Sequence, residues 1–216
     1  MLNAGSGSRA SHQLHRLFRT EAWREMRIDI DAAMDPDFVG SFTDMSGSVE
    51  TATFDAVWSS HSLEHLYPHD VVTALAEFHR VLKPTGFVLI RCPDLETAAS
   101  LLVTHGPDFV AYVSPMGPIT PLQMVFGHTA SLAQGRLAMA HRTGFTGASL
   151  ARLLLDAGFA TVLVKREYFD LWAAGFLPDA DSKQIQSDLA AAGLAFTNQD
   201  KDDTRAVGDA GRSSNG

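Results

Sequence analysis

The sequence predicts an α/β fold in which a largely parallel sheet is covered by helices on both faces. Short apolar runs alternate with segments of helical periodicity along the chain, and such alternation is typical of parallel sheets. The run 87–92 (FVLIRC) is apolar enough for a strand in the centre of a sheet. The glycine pair Gly5 and Gly7 follows the first apolar run, as at a sharp turn between a strand and a helix.

Apolar patterns and turn residues set the boundaries of the elements. Leu14, Leu17 and Phe18 share one face of a predicted first helix, and Pro84 and Gly86 end a second, amphipathic helix. In chain order we expect strands at 1–4, 26–30, 38–42, 54–60, 87–92, 159–165 and 168–176. Helices are expected at 11–19, 71–82, 95–103 and 148–157.

The 216 residues predict one domain, 1–196, followed by a disordered tail, 197–216. The tail is rich in charged and small residues, which bury too little surface to offset the entropy of ordering. Within the domain, residues 106–147 interrupt the alternation with four prolines and five glycines before 147. We expect this segment to be an insertion, partly helical at 129–141, that covers a site.

Composition excludes several classes of function. The 17 Lys and Arg residues against 25 Asp and Glu give a formal charge of -8, which disfavours a nucleic-acid partner. No apolar run approaches the roughly 20 residues that span a bilayer, so no membrane partner is expected. Cys92 is the single cysteine, which suits a reducing compartment, and the first residues contain no apolar signal core. We therefore expect a cytoplasmic protein that binds small molecules.

Three polar features follow the first three predicted strands. The N–H groups of a glycine turn such as Gly5–Gly7 favour a negative ligand group. Asp29, with Asp31 as the alternative, lies at the tip of the second strand, where a carboxylate can accept both hydroxyls of a ribose. Asp44 follows the third strand and can accept an adenine amino group, with Met45 as an apolar wall. The ends of neighbouring parallel strands meet at one edge of a sheet, so these features predict a nucleoside site.

At this point the sequence resembles a class I S-adenosylmethionine-dependent methyltransferase of the small bacterial type, with a methyltransferase type 11-like domain. The resemblance runs from residue 2 to about 176, and the order and spacing of its pieces make it specific. The pieces are LNAGSG (2–7), RIDID (27–31), GSFTDM (40–45), FDAVWSSHSLEHL (54–66), EFHRVLKPTGFVLIRCPDL (77–95) and GFATVLVKREYFDLWA (158–173). In one respect the chain departs from the pattern, because only four residues precede Gly5 and the first strand is short.

The resemblance implies a three-layer, Rossmann-like sheet of seven strands, mostly parallel with the last strand antiparallel. It also implies S-adenosyl-L-methionine as the cofactor, with Gly5, Ser6 and Gly7 at its methionine part. Asp29 would hold the ribose, and the loop after the fourth strand would lie near the methyl group. The implied cofactor-binding residues are Asn3, Ala4, Gly5, Ser6, Gly7, Asp29, Ile30, Asp44, Met45, Ser60 and His61.

Histidines are the candidates for proton transfer and acceptor binding, because imidazole titrates near neutral pH. We expect His61 and His141 to be catalytic, and His65, His128, His141 and Arg142 to bind the acceptor. His61, Glu64 and His65 match by letters an inverted zinc-protease pattern, H-x-x-E-H. That pattern needs an uninterrupted helix and a further ligand, whereas this one begins at a strand end, so no metal site is expected.

The predicted function is methyl transfer from S-adenosylmethionine to a small-molecule or saccharide acceptor, the latter suggested by His141 beside Arg142. One alternative is an NAD-dependent oxidoreductase, because GSGSRA (5–10) satisfies the dinucleotide pattern G-x-G-x-x-[GA] and Asp29 follows at a suitable distance. A second alternative is a cofactor-binding but inactive relative. The sequence leaves the acceptor atom and the oligomeric state open.

Overall fold

A computed structural model describes residues 1–9 and 14–196, so the predicted tail lies outside the described residues. Seven strands form one sheet: β1 (Leu2–Ala4), β2 (Met26–Asp29), β3 (Phe38–Val39), β4 (Phe54–Ser60), β5 (Leu82–Pro93), β8 (Thr161–Glu167) and β9 (Asp170–Phe176). Their order in the sheet is β3-β2-β1-β4-β5-β9-β8. The strands from β3 to β5 in this order are parallel to one another, and β9 is antiparallel to both β5 and β8. This arrangement confirms the predicted fold class.

Six helices accompany the described strands. They are α1 (Pro68–Val81), α2 (Leu95–His105), α3 (Pro121–Phe126), α4 (Thr129–Ala133), α5 (Gly147–Asp156) and α6 (Ser182–Ala191). Among them, α3 and α6 were not predicted. The predicted helix 11–19 is wrong in its described part, where the structure has one 3-10 turn, Arg16–Arg19, and residues 10–13 are not described.

Two apolar layers cover the sheet. On one face the buried stripes of α1 and α5 pack on the strands, with Leu75, Phe78, Leu150 and Leu154 among their buried residues. On the other face, Trp58 and its neighbours form an aromatic layer that α6 closes through Leu189. Because both faces are covered, ligand access is left at the carboxyl-end edge of the parallel strands.

The segment 106–147 contains more regular structure than its prolines suggested. A two-stranded hairpin, β6 (Tyr112–Ser114) with β7 (Gly117–Ile119), precedes α3 and α4, and a 3-10 turn, Leu137–Met139, follows. The segment returns to the sheet where β5 ends, since Phe145 pairs with Asp94. It therefore lies beside the edge at which β4 and β5 end. Among the described residues, no helix is long and apolar enough to cross a bilayer.

Candidate functional site

The turn after β1 requires glycine. Gly5 and Gly7 have φ angles of 71° and 56°, in the left-handed region. The N–H groups of Gly5 and Ser6 both donate to the carbonyl of Ile28, at 3.0 and 3.1 Å. A Cβ on Gly5 would lie 2.3 Å from the Oγ of Ser62, so the turn packs directly on the loop that follows β4.

The side chains around this turn are already engaged. Asn3, Ala4 and Ser6 are buried, and the Nδ2 of Asn3 donates to Glu25 at 2.7 Å. Among the residues predicted for the methionine part, contacts with a ligand at this edge would therefore come from the backbone of 5–7. The N–H groups of these three residues, which the sequence predicted to favour a negative ligand group, already donate to Ile28 and Asp29. Arg27 is buried beneath the turn and donates to the carbonyls of Gly7 and Asp35, which ties the turn to β2 and the loop after it.

Asp29 is fixed at the tip of β2 by the backbone. Its Oδ2 accepts the N–H of Gly7 at 2.8 Å, and its Oδ1 accepts the N–H of Asp31 at 2.9 Å. Each carboxylate oxygen retains further acceptor capacity, and the side chain is half-buried. Asp31 instead caps the 3-10 turn Ala32–Met34 through the N–H of Ala33, so its carboxylate has a local structural role.

The residues predicted at the adenine separate into exposed and buried groups. Ile30 is 60% exposed directly after Asp29, and Asp44 is exposed. Hydrogen bonds from the hydroxyl and backbone N–H of Ser46 hold the pKa of Asp44 below its usual value. Met45 is 1% exposed and packs in the core, with its N–H held by Glu77 at 2.7 Å. In this conformation the Met45 side chain cannot form the predicted apolar wall.

His61 lies between two carboxylates where β4 ends. It has a φ of 50°, and its backbone N–H donates to the carbonyl of Arg91 on the neighbouring strand β5 at 2.8 Å. Its Nδ1 is 3.4 Å from Glu64 Oε1, and its Nε2 is 3.6 Å from Asp170 Oδ1. Burial lowers the pKa of His61, but Glu64 and Asp170 together raise it above the usual value. This arrangement favours a charged imidazolium placed between the two acids, at ion-pair distances from both.

Asp170 joins this cluster from the antiparallel strand β9, opposite Pro93 of β5. Its Oδ2 accepts the Nε of Arg91 at 2.8 Å, and the Arg91 guanidinium lies 5.1 Å above the Trp172 ring. The ring of Tyr112 stacks on Phe169, the residue before Asp170, with 4.9 Å between centroids, so the hairpin of the insertion packs beside the start of β9. Burial raises the pKa of Tyr112, and the charge of Asp170 adds to that effect. Ser60, predicted in the pocket, is half-buried beside it.

A second cluster places two predicted histidines around Glu64. The ring centroids of His65 and His141 lie 5.1 Å apart. One potential metal-ligand atom from each of these histidines and one from Glu64 all lie within 4.8 Å of one another. Burial lowers the pKa of His141, and the charge of Glu64 opposes that effect. The structure therefore brings His61, His65 and His141 around a single buried acid.

The remaining predicted acceptor residues have local partners. Arg142 donates to the carbonyl of His65 at 2.7 Å and lies 5.1 Å over the ring of Tyr67. His128, at the start of α4, has its Nδ1 2.9 Å from the Oγ of Ser131. Sequence reasoning missed Asp170 and the central position of Glu64. Glu64 stood in the H-x-x-E-H pattern, whereas no sequence signal pointed to Asp170.

Part of the chain matches a known protein family. A family model described as a methyltransferase domain matches residues 2–90, which include the glycine turn, Asp29 and His61. Residues 2–90 belong to the methyltransferase domain family. No curated protein matches the sequence.

Solved structures share the fold of this methyltransferase domain. A SAM-dependent methyltransferase from Archaeoglobus fulgidus is 15% identical, with a TM-score of 0.51 over 81% of this chain and 84% of that one. The PH0226 protein from Pyrococcus horikoshii OT3 is 16% identical, with a TM-score of 0.53 over 82% and 80%. The trans-methyltransferase CalH in complex with SAH is 14% identical, with a TM-score of 0.52 over 81% of this chain and 50% of CalH. At these identities the likeness shows the fold.

Proposed function

We propose that the protein transfers a methyl group from S-adenosylmethionine to a small-molecule acceptor. The observation that supports this most directly is the bond between Asp29 and the N–H of Gly7, because it joins the glycine turn and the acid at the tip of β2 into one unit. The methyltransferase family match covers both residues. CalH, which has the same fold, was solved with SAH, the product that remains after methyl transfer.

The cofactor is proposed to lie across the ends of β1 and β2. The free acceptor capacity of Asp29 suits the two ribose hydroxyls. The carbonyl groups of Gly5–Gly7 are proposed to meet the methionine part, because the N–H groups of these residues already donate to Ile28 and Asp29. Ile30, which is exposed beside Asp29, takes the role of apolar wall for the adenine in place of Met45. Asp44 is exposed after β3 and is proposed to accept the adenine amino group.

The chemistry requires alignment above all. Methyl transfer from a sulfonium is an in-line displacement: a lone pair of the acceptor forms a bond to the methyl carbon as the carbon–sulfur bond breaks. Holding the two reactants in line contributes about 7–11 kcal/mol in well-oriented systems. His61 is proposed to orient the acceptor through the charge of its imidazolium, because its side chain is 40% exposed at the edge where β4 ends.

A small-molecule acceptor fits the insertion. Tyr112 of the hairpin is stacked on Phe169, the residue before Asp170, with 4.9 Å between ring centroids. An acceptor with a flat or ring-shaped apolar face could pack against this pair. Arg142 offers less support for a saccharide than the sequence suggested, because its guanidinium is engaged with His65 and Tyr67.

The oxidoreductase alternative has less support than methyl transfer. The family model that matches residues 2–90 describes a methyltransferase domain, and the match includes both the glycine turn and Asp29, on which the dinucleotide pattern rested.

The test is a screen for methyl transfer from S-adenosylmethionine with a labelled methyl group to pools of metabolites and glycans, with thermal melting run in parallel. We expect label in a small-molecule product, and a melting temperature raised by S-adenosylhomocysteine but not by NAD. Protection by NAD alone would support the oxidoreductase. Protection by S-adenosylhomocysteine without labelled product from any pool would support an inactive relative.

A further inference from the structure

We propose that Glu64, His65 and His141 bind a divalent transition-metal cation, for which Zn²⁺ is the probe. This inference does not depend on the proposed function, since it uses none of the residues proposed to bind the cofactor. It revises the expectation, drawn from the sequence, that the chain has no metal site. The further ligand that the H-x-x-E-H pattern lacked is His141, which the insertion supplies.

The first support is the state of Glu64. Its side chain is 2% exposed, and among the described residues neither of its carboxylate oxygens has a hydrogen-bond partner. The nearest cationic atom, Nδ1 of His61, is 3.4 Å from Oε1, which is an ion-pair contact without hydrogen-bond geometry. A buried carboxylate is costly unless it is paired and hydrogen-bonded or coordinates a metal. Glu64 therefore has acceptor capacity that the protein leaves unused.

The second support is the orientation of the two histidines. The Nδ1 of His65 is 3.2 Å from the carbonyl of Ala140, and the Nδ1 of His141 is 2.9 Å from the carbonyl of Met124. A carbonyl only accepts, so each Nδ1 carries the hydrogen and each Nε2 is left with a lone pair in the neutral ring. Metal-binding histidines are held in this way, with the other ring nitrogen donating to a carbonyl or carboxylate.

The third support is that the backbone holds the three side chains together. The carbonyl of Glu64 accepts the N–H groups of Arg142 and Thr143 at 2.8 and 3.3 Å. The Arg142 side chain bonds the carbonyl of His65 at 2.7 Å. These bonds join the 3-10 turn Leu63–His65 to the end of the insertion, so the candidate ligands come from two segments fixed to each other.

The spacing is close to that of a metal centre. The candidate ligand atoms lie within 4.8 Å of one another. Bond lengths of about 2.0–2.2 Å place the ligand atoms of a tetrahedral zinc site roughly 3.4 Å apart, so small side-chain rotations would close the set. Two imidazoles and one carboxylate suit first-row transition metals better than magnesium or calcium.

The set leaves room for a further ligand. Three protein ligands with an open fourth position are the pattern of catalytic zinc sites, in which water or substrate completes the shell. A small cavity adjoins the cluster, lined in part by Glu64, Met124, His141 and Thr143. His61 also lies next to Glu64, with its Nδ1 3.4 Å from Oε1, and its side chain is 40% exposed.

The experiment measures metal binding by the full-length chain without cofactor. The protein is stripped with a chelator, exchanged into chelator-free buffer and titrated calorimetrically with Zn²⁺; Co²⁺ is then added to record the visible spectrum of the bound ion. We expect one ion per chain. Glu64→Gln and His141→Ala should each bind at least tenfold more weakly, whereas His69→Ala, which removes an exposed histidine of α1, should bind as the wild type does.

Three results would overturn the proposal: no stoichiometric binding by the wild type, equal affinity in His141→Ala, or an equal loss in His69→Ala. An equal loss in His69→Ala would indicate that the ion binds to histidines on the surface and not to the proposed cluster. Circular dichroism and thermal melting establish whether each variant is folded, and His65→Ala provides a second test if Glu64→Gln is not. If the proposed function fails while Zn²⁺ binds as expected, the metal site stands, because the titration contains no cofactor or acceptor.

Discussion

Asp29 accepts the N–H of Gly7 at 2.8 Å, across 22 positions of sequence. The bond fixes the glycine turn after β1 relative to the tip of β2. A loop N–H that would otherwise need water or ligand is satisfied by the side chain that we assign to the ribose. The fold therefore fixes the relative positions of the turn and the acid without a ligand. Substitutions at Gly7 or Asp29 should affect stability and ligand affinity together.

Gly5→Ala should destabilise the protein. A left-handed φ costs an alanine roughly 1–2 kcal/mol, and the new Cβ would lie 2.3 Å from the Oγ of Ser62. The free energy of unfolding, measured by chemical denaturation, should fall by at least that amount. Gly40→Ala is the control, because a Cβ there meets nothing within 4 Å and should leave stability nearly unchanged. Equal stability of the two variants would contradict the account of the turn.

Ile30→Ser should weaken binding of S-adenosylhomocysteine without destabilising the fold. The side chain is 60% exposed, so little apolar burial is lost on folding, while the adenine loses an apolar contact of about 1–2 kcal/mol. Calorimetric titration should show an affinity several-fold to about thirtyfold lower. Val72→Ser, on the exposed side of α1, should change neither quantity. Unchanged affinity in Ile30→Ser would remove Ile30 from the adenine site.

Met45→Ala should behave in the opposite way, as a core substitution. Its side chain is 1% exposed within the apolar layer under α1, and truncation of a buried methionine costs about 2–5 kcal/mol. Denaturation should report that loss, with cofactor affinity close to that of the wild type under conditions where the variant is folded. A stable variant that binds the cofactor weakly would instead indicate that the Met45 side chain contacts the adenine.

Stability should fall as the pH drops from about 6.5 toward 4, in part because of His15. Burial first, and then the charges of Arg19, Arg16 and Arg91, lower the pKa of His15 to about 4. The neutral ring is needed because its Nδ1 accepts the N–H of Leu17. The unfolded state binds the proton more readily than the folded state does. The neutral ring therefore costs no stability above pH 6.5, the pKa in the unfolded chain. Stability is lost as the pH falls from 6.5 to about 4, the pKa in the folded protein.

The loss attributable to His15 is about 1–3 kcal/mol between pH 7 and pH 4, reduced from the full shift because the ring is partly exposed. His15→Asn keeps an acceptor for Leu17 but does not titrate, so its unfolding free energy should depend less on pH. His69→Asn, at an exposed histidine, should retain the wild-type pH dependence. Identical pH profiles for the wild type and His15→Asn would exclude this contribution.

Asp170→Asn should cost about 1–3 kcal/mol of stability, because it breaks a charged hydrogen bond to Arg91 that is partly buried. Asp55→Asn removes an ion pair to Lys83 that is largely exposed and should cost little. If His61 orients the acceptor, Asp170→Asn should also lower turnover on the acceptor that the screen identifies, with affinity for S-adenosylhomocysteine unchanged. Turnover equal to that of the wild type would show that Asp170 does not contribute to the acceptor site.

Local patterns in the sequence predicted the parts of the fold that local forces determine. The strand 54–60 was predicted with its observed ends, since its apolar run is bounded by polar residues on both sides. The strand 87–92 was predicted too short: β5 begins at Leu82, directly after α1, and includes Pro84 and Gly86. Pro84 was interpreted as a turn signal, whereas the extended conformation that proline also permits continues the strand.

The candidate site was harder to predict, because its parts come together through tertiary contacts. Asp29 and Gly7 followed from strand order and a known turn pattern. The meeting of His141 with Glu64 did not, since it runs through an insertion without periodicity and joins residues far apart in sequence. Asp170 comes from the antiparallel strand, whose register no local pattern reveals. Met45 follows Asp44 as expected, but its side chain turns into the core and its N–H donates to Glu77 on α1, a contact that the sequence does not reveal.

The most direct measurement is calorimetric titration of the wild type, Asp29→Ala and Asp31→Ala with S-adenosylhomocysteine. If the acid bonded to Gly7 holds the ribose, the wild type binds, Asp29→Ala loses about 1–3 kcal/mol, or roughly 5- to 150-fold in affinity, and Asp31→Ala stays close to the wild type. No binding by the folded wild type, or equal affinity in Asp29→Ala, would contradict the nucleoside site at the tip of β2.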